Sequence, residues 1–346
     1  MNAKTFKAAY YTGNKQFALE EVSVASPAAH EVQIEVAYCG ICGTDMHAFH
    51  GVMDERITLH RVIGHEMSGT IVAAGGDVDA SMVGKRVVVR PLDHCGDCPA
   101  CNEGHSHVCH NLKFLGLDTD GAFQQRWNTP AHTIHEISES VSLAHAALIE
   151  PIAVACHDVS RARLQPGEDA LVIGGGPIGL LVAMVAKEAG ANVMISEINE
   201  HRLAVAKKLG FRTLNPLNVD VITAVNEATG GKGADVVFEV SGSAPGVELM
   251  TEVAACRGRI VMVAIHPNKP QVDMFKFFWR ELELLGARVY EGRDFDKAIE
   301  LLAKGAIDAD TIITDVNDLD NIQHAFSSLD GNAQAMKSIV RCNLDA

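Results

Sequence analysis

The chain is short of basic residues. Its 346 residues include 29 lysines and arginines against 44 aspartates and glutamates, a formal net charge of −15 at pH 7. A surface of that charge repels a phosphate backbone, so we expect no nucleic-acid partner. The cysteine-rich loop described below contains no Lys or Arg between positions 91 and 112, which argues against a nucleic-acid-binding zinc finger.

Long apolar runs are also missing. The most apolar stretch, residues 170–186, is interrupted by Gly174-Gly175-Gly176-Pro177 and is shorter than the roughly 20 residues that cross a bilayer. Residues 1–22 alternate polar and apolar side chains and lack the continuous apolar core of a signal peptide. We therefore expect no membrane span, no export signal and a cytoplasmic location.

The nine cysteines are odd in number and unevenly spaced. This pattern favours metal ligands in a reducing compartment over a framework of disulfides. Cys156, Cys256 and Cys342 belong to no spaced group, and we expect them to be small, buried apolar residues.

The length of the chain predicts about two domains. Two different patterns of apolar residues follow one another along it. Residues 5–150 contain short apolar runs separated by Gly, Pro and Asp, which predicts a β-rich domain. From about residue 167, strands of five or six residues alternate with helical patterns, which predicts a doubly wound parallel sheet. The fold class is therefore α/β, and we expect the tail from about residue 290 to rejoin the first domain.

Four cysteines are concentrated in one loop. Cys95, Cys98, Cys101 and Cys109 form a C-x2-C-x2-C-x7-C pattern. Four thiolates this close in sequence can surround one Zn²⁺ in a tetrahedron, and an iron–sulfur cluster is the alternative for the same ligands. A zinc with four sulfur ligands has no open position, so this site is predicted to be structural.

A second set of possible ligands is spread over three segments. It comprises Cys42, the pair His65 and Glu66, and Glu150 before a proline. One thiolate, one imidazole and one or two carboxylates suit a zinc that keeps a position free for water or substrate. Cys39 lies three residues before Cys42, so a second cysteine pair remains an alternative.

A glycine-rich turn follows the first strand of the predicted parallel sheet. Gly174, Gly176 and Gly179 form G-x-G-x-x-G, with Pro177 and Ile178 between the last two glycines. Such a turn lets a pyrophosphate approach the backbone at a helix N-terminus. Glu197 ends the next strand, where a carboxylate accepts hydrogen bonds from ribose hydroxyls and repels a 2′-phosphate. This favours NAD over NADP, although Arg202 leaves room for NADP or for stacking on adenine.

Together, five ordered motifs resemble the zinc-dependent medium-chain dehydrogenases, and most closely their sorbitol, butanediol and threonine dehydrogenase branch. The motifs are Cys42-Gly43-Thr44-Asp45 with His47, Gly64-His65-Glu66, the four cysteines, Glu150-Pro151 and the glycine turn. The resemblance covers nearly the whole chain. It implies a GroES-like catalytic domain, expected at 1–152 and 288–346, around a Rossmann NAD-binding domain at 153–287, and assembly as a homodimer or homotetramer.

The resemblance also implies roles for the metal ligands. Cys42 and His65 would bind a catalytic zinc, and Glu66 and Glu150 would supply the remaining protein ligand or alternate with water. The four-cysteine loop would hold a second, structural zinc.

The remaining implied roles concern proton transfer. Asp45 would accept a hydrogen bond from the His65 imidazole and fix its tautomer. Thr44 would take the proton of the substrate hydroxyl and pass it through the cofactor ribose towards His47 and solvent. The expected reaction is zinc-dependent oxidation of a secondary alcohol, diol, polyol or sugar-acid hydroxyl to a ketone, with hydride transfer to NAD.

Alternatives remain at this stage. The chain could be an NADPH-dependent aldehyde or ketone reductase of the same family, or a zinc-stabilised binding protein without activity. His50, Arg56, Arg288 and Tyr290 are candidates for substrate contacts. The aromatic run Phe275–Trp279 is predicted to be a packing or subunit surface.

Overall fold

The computed structural model describes residues 4–266, 268–332 and 334–344, so the extreme ends of the expected catalytic domain lie outside the described residues. The chain divides into two compact units. The first comprises Met1–Glu150, Glu291–Lys304 and Ala309–Ala346, and the second comprises Pro151–Tyr290 and Gly305–Asp308. The expected boundaries at 152/153 and 287/288 lie within three residues of these, but residues 305–308 were not expected in the second unit.

The strands and helices are numbered in chain order. The strands are β1 (Thr5–Gly13), β2 (Gln16–Ser23), β3 (Glu31–Gly40), β4 (Arg61–Val62), β5 (Glu66–Ala74), β6 (Arg86–Val89), β7 (Leu92–Asp93), β8 (Lys113–Phe114), β9 (Arg126–Pro130), β10 (Ile134–Glu136), β11 (Asp169–Ile173), β12 (Asn192–Ser196), β13 (Arg212–Leu214), β14 (Ala234–Glu239), β15 (Ala254–Met262), β16 (Glu283–Gly286), β17 (Ile313–Asp318) and β18 (Lys337–Arg341). The helices are α1 (Gly43–Phe49), α2 (Pro99–Asn102), α3 (Leu143–Ala146), α4 (Ile149–Arg161), α5 (Pro177–Glu188), α6 (Glu200–Lys208), α7 (Val221–Ala228), α8 (Ala244–Val253), α9 (Met274–Arg280), α10 (Gly292–Ala303), α11 (Ala309–Ile312) and α12 (Ile322–Leu329).

The first unit is built mainly of sheet. One sheet has the order β10-β6-β5-β3-β18-β17, with β9 also paired to β3, and a smaller sheet has the order β2-β1-β4. Strand β3 alternates as a half-buried strand should, because Val32, Ile34 and Val36 are buried and the residues between them are more exposed. The tail returns to this unit, since β18 pairs antiparallel with β3 and sets Ile339 opposite Gly40.

The second unit is a six-stranded parallel sheet in the order β13-β12-β11-β14-β15-β16. In the unit's own chain order this is 3-2-1-4-5-6, the arrangement of the doubly wound dinucleotide-binding fold, so the Rossmann prediction is confirmed. Ala170, Leu171, Val172 and Ile173 of the central strand β11 are all buried, as expected for a strand covered on both faces.

One expected burial is wrong. Cys156 and Cys342 are buried, but Cys256 is exposed within β15. The pairing of β15 with β14 skips from Ala254 to Arg259, so the intervening residues bulge out of the ladder and carry Cys256 into solvent. In the part of the chain that the structure describes, no helix is long and apolar enough to cross a membrane.

Candidate functional site

Three predicted ligands from separate segments meet in the first unit. The Cys42 sulfur, one ring nitrogen of His65 and one carboxylate oxygen of Glu66 all lie within 4.8 Å of one another. His65 and Glu66 are almost completely buried, with 2% and 1% of their surface exposed. A thiol, an imidazole and a carboxylate converging in a buried position form a donor set that suits zinc.

Local backbone features place these three side chains. Cys42 is the residue before α1, and its N–H donates to Asp45 Oδ2 at 2.9 Å, which ties the start of the helix together. Gly64, immediately before His65, has φ of +100°. A Cβ at Gly64 would lie 2.7 Å from the Phe123 ring, so only glycine permits this sharp entry into β5.

Asp45 and His65 form a buried pair beside Cys42. Asp45 Oδ1 lies 3.5 Å from His65 Nδ1, and neither atom has a hydrogen-bond partner among the described residues. Burial lowers the pKa of His65, but the charges of Asp45 and Cys42 outweigh it and hold that pKa well above its ordinary value. The buried atoms Asp45 Oδ1 and His65 Nδ1 lack partners within the described part of the chain and lie next to a thiol. The negative charges around this position favour the binding of a cation.

Lys337 completes the site, and sequence reasoning missed it. Its Nζ lies 2.7 Å from both carboxylate oxygens of Glu66 and also donates to the Ile41 carbonyl at 3.2 Å. Gly40 provides the space, since a Cβ there would lie 2.2 Å from Glu66 Oε2. Burial lowers the pKa of Lys337, but the charge of Glu66 raises it above its ordinary value. The sequence signal was a lysine at the start of a short strand, Lys337–Arg341, that also contains the apolar pair Ile339 and Val340.

Glu150 lies outside the group of three ligand atoms that approach within 4.8 Å. It is the second residue of α4, it is buried, and its negative charge contributes to the raised pKa of Lys337. Glu150 therefore stands near the Glu66–Lys337 pair rather than within the Cys42–His65–Glu66 cluster.

The predicted proton-transfer residues lie on the helix that begins beside Cys42. Thr44 is half-buried and His47 is exposed, and a spacing of three residues places them on one face of α1. Of the proposed substrate contacts, His50 bonds to Asp330 at 3.0 Å, whereas Tyr290 is completely buried in the second unit.

The four cysteines of the loop converge as predicted from their spacing. The Sγ–Sγ distances are 3.5 Å for Cys98–Cys101, 3.8 Å for Cys98–Cys109 and 3.4 Å for Cys95–Cys109. A tetrahedron with Zn–S bonds of 2.3 Å has sulfurs about 3.8 Å apart, so the geometry fits zinc and is far too long for disulfides. The short ribbon of β7 and β8 closes the loop at its base.

Backbone N–H groups donate hydrogen bonds to the sulfurs of this loop. The N–H of His110 donates to Cys98 Sγ at 3.4 Å, and that of Asn111 donates to Cys109 Sγ at 3.3 Å. The backbone hydrogen bonds to Cys98 lower its pKa to about 6. Burial raises the pKa of Cys101 to about 12, so the amides favour the thiolate, the form that binds zinc, at Cys98 and not throughout the loop.

The glycine turn lies in the second unit, directly after β11. Gly174 has φ of +106°, and a Cβ at Gly179 would lie 1.9 Å from the Gly174 carbonyl oxygen, so neither position accepts a side chain. Helix α5 begins at Pro177, because proline suits the first position of a helix. Pro177 and Ile178 therefore form the first helical turn, a position at which free backbone N–H groups, from Ile178 onwards, are suited to bind a phosphate.

Glu197 braces this turn. Its Oε2 accepts the Gly175 N–H at 2.7 Å, and its Oε1 accepts the N–H groups of Ile198 and Asn199 at 2.7 and 2.8 Å. Arg202 stands beside it, with Nη1 3.8 Å from Glu197 Oε2 and close to Gly176. The position was predicted from sequence, but the direct bond from Glu197 to the glycine turn was not.

A doubly wound sheet with a glycine turn, together with two zinc-type donor sets, defines a metal-dependent nucleotide-binding oxidoreductase. Comparisons with known proteins agree: residues 28–139 match the alcohol dehydrogenase GroES-like domain and residues 177–304 match the zinc-binding dehydrogenase family. The chain belongs to the zinc-binding alcohol dehydrogenases and is an enzyme of that family. The predicted family and GroES-like fold are thereby confirmed.

Individual relatives extend over the whole chain. It is 54% identical to the 2-dehydro-3-deoxy-L-galactonate 5-dehydrogenase of Pseudoalteromonas atlantica, over 98% of this chain and 99% of that protein. It is 35% identical to the D-arabitol-phosphate dehydrogenase of Enterococcus avium, over 92% and 93%. Among solved structures, a protein described as a zinc-binding dehydrogenase from Sinorhizobium meliloti 1021, bound to NADP, is 30% identical with a TM-score of 0.92, covering 98% and 99%.

Proposed function

We propose that this protein oxidises a secondary hydroxyl of a sugar acid to the ketone at a zinc held by Cys42, His65 and Glu66, with hydride transfer to NAD. The observation that carries the proposal is the convergence of these three side chains within 4.8 Å in a buried position. The relative named as a 2-dehydro-3-deoxy-L-galactonate 5-dehydrogenase supports the choice of a sugar acid.

Zinc, when bound there, lowers the pKa of a coordinated hydroxyl so that it ionises near neutral pH. Asp45, whose Oδ1 lies 3.5 Å from His65 Nδ1, would hold the orientation of the His65 ring beside Cys42. Lys337 holds the Glu66 carboxylate with two hydrogen bonds. Glu150, the buried carboxylate near that pair, would supply the remaining ligand in place of Glu66 or alternate with water. The ligand set thus keeps one position for water or substrate.

The substrate proton needs a path to solvent. In the proposed path, the half-buried Thr44 hydroxyl accepts the substrate proton while passing its own proton on through the cofactor ribose, and the exposed His47 imidazole, one turn further along α1, would release it to water. NAD, when bound, accepts the hydride and carries the redox chemistry.

The cysteine loop is proposed to hold a second, structural zinc. Four sulfurs fill a tetrahedron and leave no position for substrate, so the metal there stabilises the loop that β7 and β8 close. The enzyme would therefore contain two zinc ions per chain, one catalytic and one structural.

NAD is proposed as the preferred cofactor, with NADP the alternative. Glu197 is a buried carboxylate fixed at the glycine turn, where a 2′-phosphate would meet its negative charge. Arg202 lies only 3.8 Å away and partly offsets that repulsion, which leaves some binding of NADP.

We also propose a homo-oligomer, a dimer or tetramer, in the cytoplasm. Phe278 and Trp279 of α9 are 78% and 71% exposed, and contiguous aromatic side chains of this kind are normally covered by a partner. The nine cysteines, all of them among the described residues, form no disulfide, which fits a reducing compartment.

A substrate panel tests the proposed function. Zinc-loaded protein is incubated with NAD or NADP and with 2-keto-3-deoxy sugar acids, sorbitol or 2,3-butanediol, and absorbance is followed at the nicotinamide band. We expect reduction of NAD to be fastest with the sugar acid. Activity only in the reverse direction with NADPH and aldehydes would support the reductase alternative, and no turnover in either direction would contradict the proposal.

A further inference from the structure

The loop that follows α1 carries an arginine in a fixed position. The N–H groups of Arg56 and Ile57 both donate to the Met53 carbonyl at 2.9 Å, and the Val52 N–H donates to the His47 carbonyl at 3.0 Å. The Ile57 side chain is buried. These contacts tie Arg56 to the helix that begins at Cys42.

The Arg56 guanidinium is oriented by one carboxylate. Its Nε and Nη2 donate to the two oxygens of Asp118, each at 2.8 Å, in a bidentate pair. Nη1 has no partner among the described residues, and 43% of the side chain is exposed to solvent. The guanidinium is thus held rigidly while part of its donor edge stays free for an anion.

Asp118 connects this arginine to the ligand cluster. Its Oδ2 also accepts the Phe114 N–H at 2.7 Å, and the Phe114 ring meets the His65 ring edge-on with centroids 5.1 Å apart. Burial raises the pKa of Asp118, but the bonds from Arg56 and Phe114 outweigh it and lower that pKa below its usual value. Arg56 is therefore only two residues removed, through contacts, from His65.

A substrate with a carboxylate needs a positively charged side chain, such as that of Arg56, to bind it. The chain carries a net charge of −15, and Lys337, the buried lysine of the cluster, already has both of its strong bonds to Glu66. In an extended six-carbon acid oxidised at C5, the carboxylate carbon is about 5 Å from the reacting carbon. Its partner must therefore stand near the metal ligands without being one of them.

We propose that Arg56, oriented by Asp118, binds the carboxylate of the substrate and so selects sugar acids over neutral polyols. This rests on the proposed function and adds to it the residue that determines specificity. The free Nη1–H and the second Nη2–H supply two charge-assisted hydrogen bonds to the carboxylate. Lysine at this position keeps the charge but loses the paired geometry.

The test compares a sugar acid with a neutral analogue of the same compound, its primary amide. Steady-state kinetics with NAD are measured for a 2-keto-3-deoxy sugar acid and for its primary amide, using zinc-loaded wild type, Arg56→Gln, Arg56→Lys and Lys113→Gln. Lys113 is the matched control, because it is an exposed cation next to Phe114 without a bond to Asp118.

We expect Arg56→Gln to lower the acid-to-amide ratio of kcat/KM by about 10- to 100-fold, mainly through the KM of the acid. Arg56→Lys should fall between that variant and wild type, and Lys113→Gln should keep the wild-type ratio. The KM of the acid should rise with salt in wild type and depend less on salt in Arg56→Gln.

Equal losses for acid and amide in Arg56→Gln, or a lowered kcat with unchanged KM, would overturn the proposal and make the Arg56–Asp118 pair purely structural. A wild type that turns over the acid while Arg56→Gln is unaffected would overturn it too, and the proposed function would stand. A wild type that turns over neither compound would instead contradict the proposed function.

Discussion

Lys337 Nζ donates to both carboxylate oxygens of Glu66 at 2.7 Å, in a position where 5% and 1% of the two side chains are exposed. The two residues are 271 positions apart in the chain. A buried carboxylate next to a candidate metal centre therefore has a protein cation as its partner, and Glu66 is stabilised even before any metal binds.

Removing this lysine should destabilise the zinc-free protein. Lys337→Met leaves the Glu66 carboxylate buried without a cation, and we expect a loss of about 3–5 kcal/mol in the free energy of unfolding. Denaturant unfolding of the zinc-free protein measures it. The double variant Lys337→Met with Glu66→Gln is the control and should lose less, because no unpaired charge remains. A double variant as unstable as the sum of the two single variants would refute the pairing.

The two metal sites should respond differently to loss of a thiol. Cys42→Ser should abolish turnover while the melting temperature changes little, because the proposed catalytic zinc is lost. Cys95→Ser should lower the melting temperature before it affects turnover, because the loop loses its proposed structural zinc. Metal analysis should find about two zinc per wild-type chain and one in each variant. Full activity with one zinc per chain would contradict the two-site proposal.

Cofactor preference should depend on Glu197. Glu197→Ala removes the carboxylate at the glycine turn, so we expect the dissociation constant of NAD to rise by at least about tenfold and that of NADP to change much less. Glu200→Ala removes an exposed carboxylate from the next helix and serves as the control. Equal weakening of both cofactors would mean that Glu197 acts only by bracing the Gly175 N–H.

The Tyr11 phenol should lose its proton at a higher pH than an ordinary tyrosine. Burial and the hydrogen bond from its hydroxyl to Asp54 Oδ1, 3.1 Å away, raise the pKa of Tyr11 to about 12. Because the folded pKa lies above the unfolded value of 10.0, this stabilisation is present below pH 10 and is lost as the pH rises towards 12. Subtracting the alkaline absorbance titration of Tyr11→Phe from that of wild type isolates this phenol. A midpoint near 10 would contradict both the burial of the phenol and its bond to Asp54.

The aromatic face of α9 should control assembly. Trp279→Glu places a charge on the proposed subunit surface and should shift the protein to a smaller species, measured by light scattering after size-exclusion chromatography. Leu217→Glu is the matched control, since Leu217 is similarly exposed but lies outside this face. An unchanged mass in Trp279→Glu would place the interface elsewhere.

Features whose residues are close in sequence were predicted accurately. The four cysteines lie within 15 residues, and the glycine turn with Glu197 spans 24, so spacing alone limits the distances their side chains can adopt. Strand β12, Asn192–Ser196, has the predicted length of five residues, because its apolar run is bounded on both sides by turn residues. The exposure of Cys256 was missed, since a bulge depends on how β15 pairs with β14 rather than on its own residues.

By itself, the sequence determined the family, the α/β architecture, the donor types at the two proposed metal sites and the glycine turn proposed for the cofactor, because these follow from residue types at short, characteristic spacings. Only the tertiary structure decided that Lys337 neutralises Glu66 and that Asp118 links Arg56 to Phe114. Those pairs depend on which distant segments become neighbours: the antiparallel register of β18 on β3 brings the start of the last strand beside Gly40 and Glu66. No local pattern encodes that register, since it emerges only when the sheet's buried faces pack together.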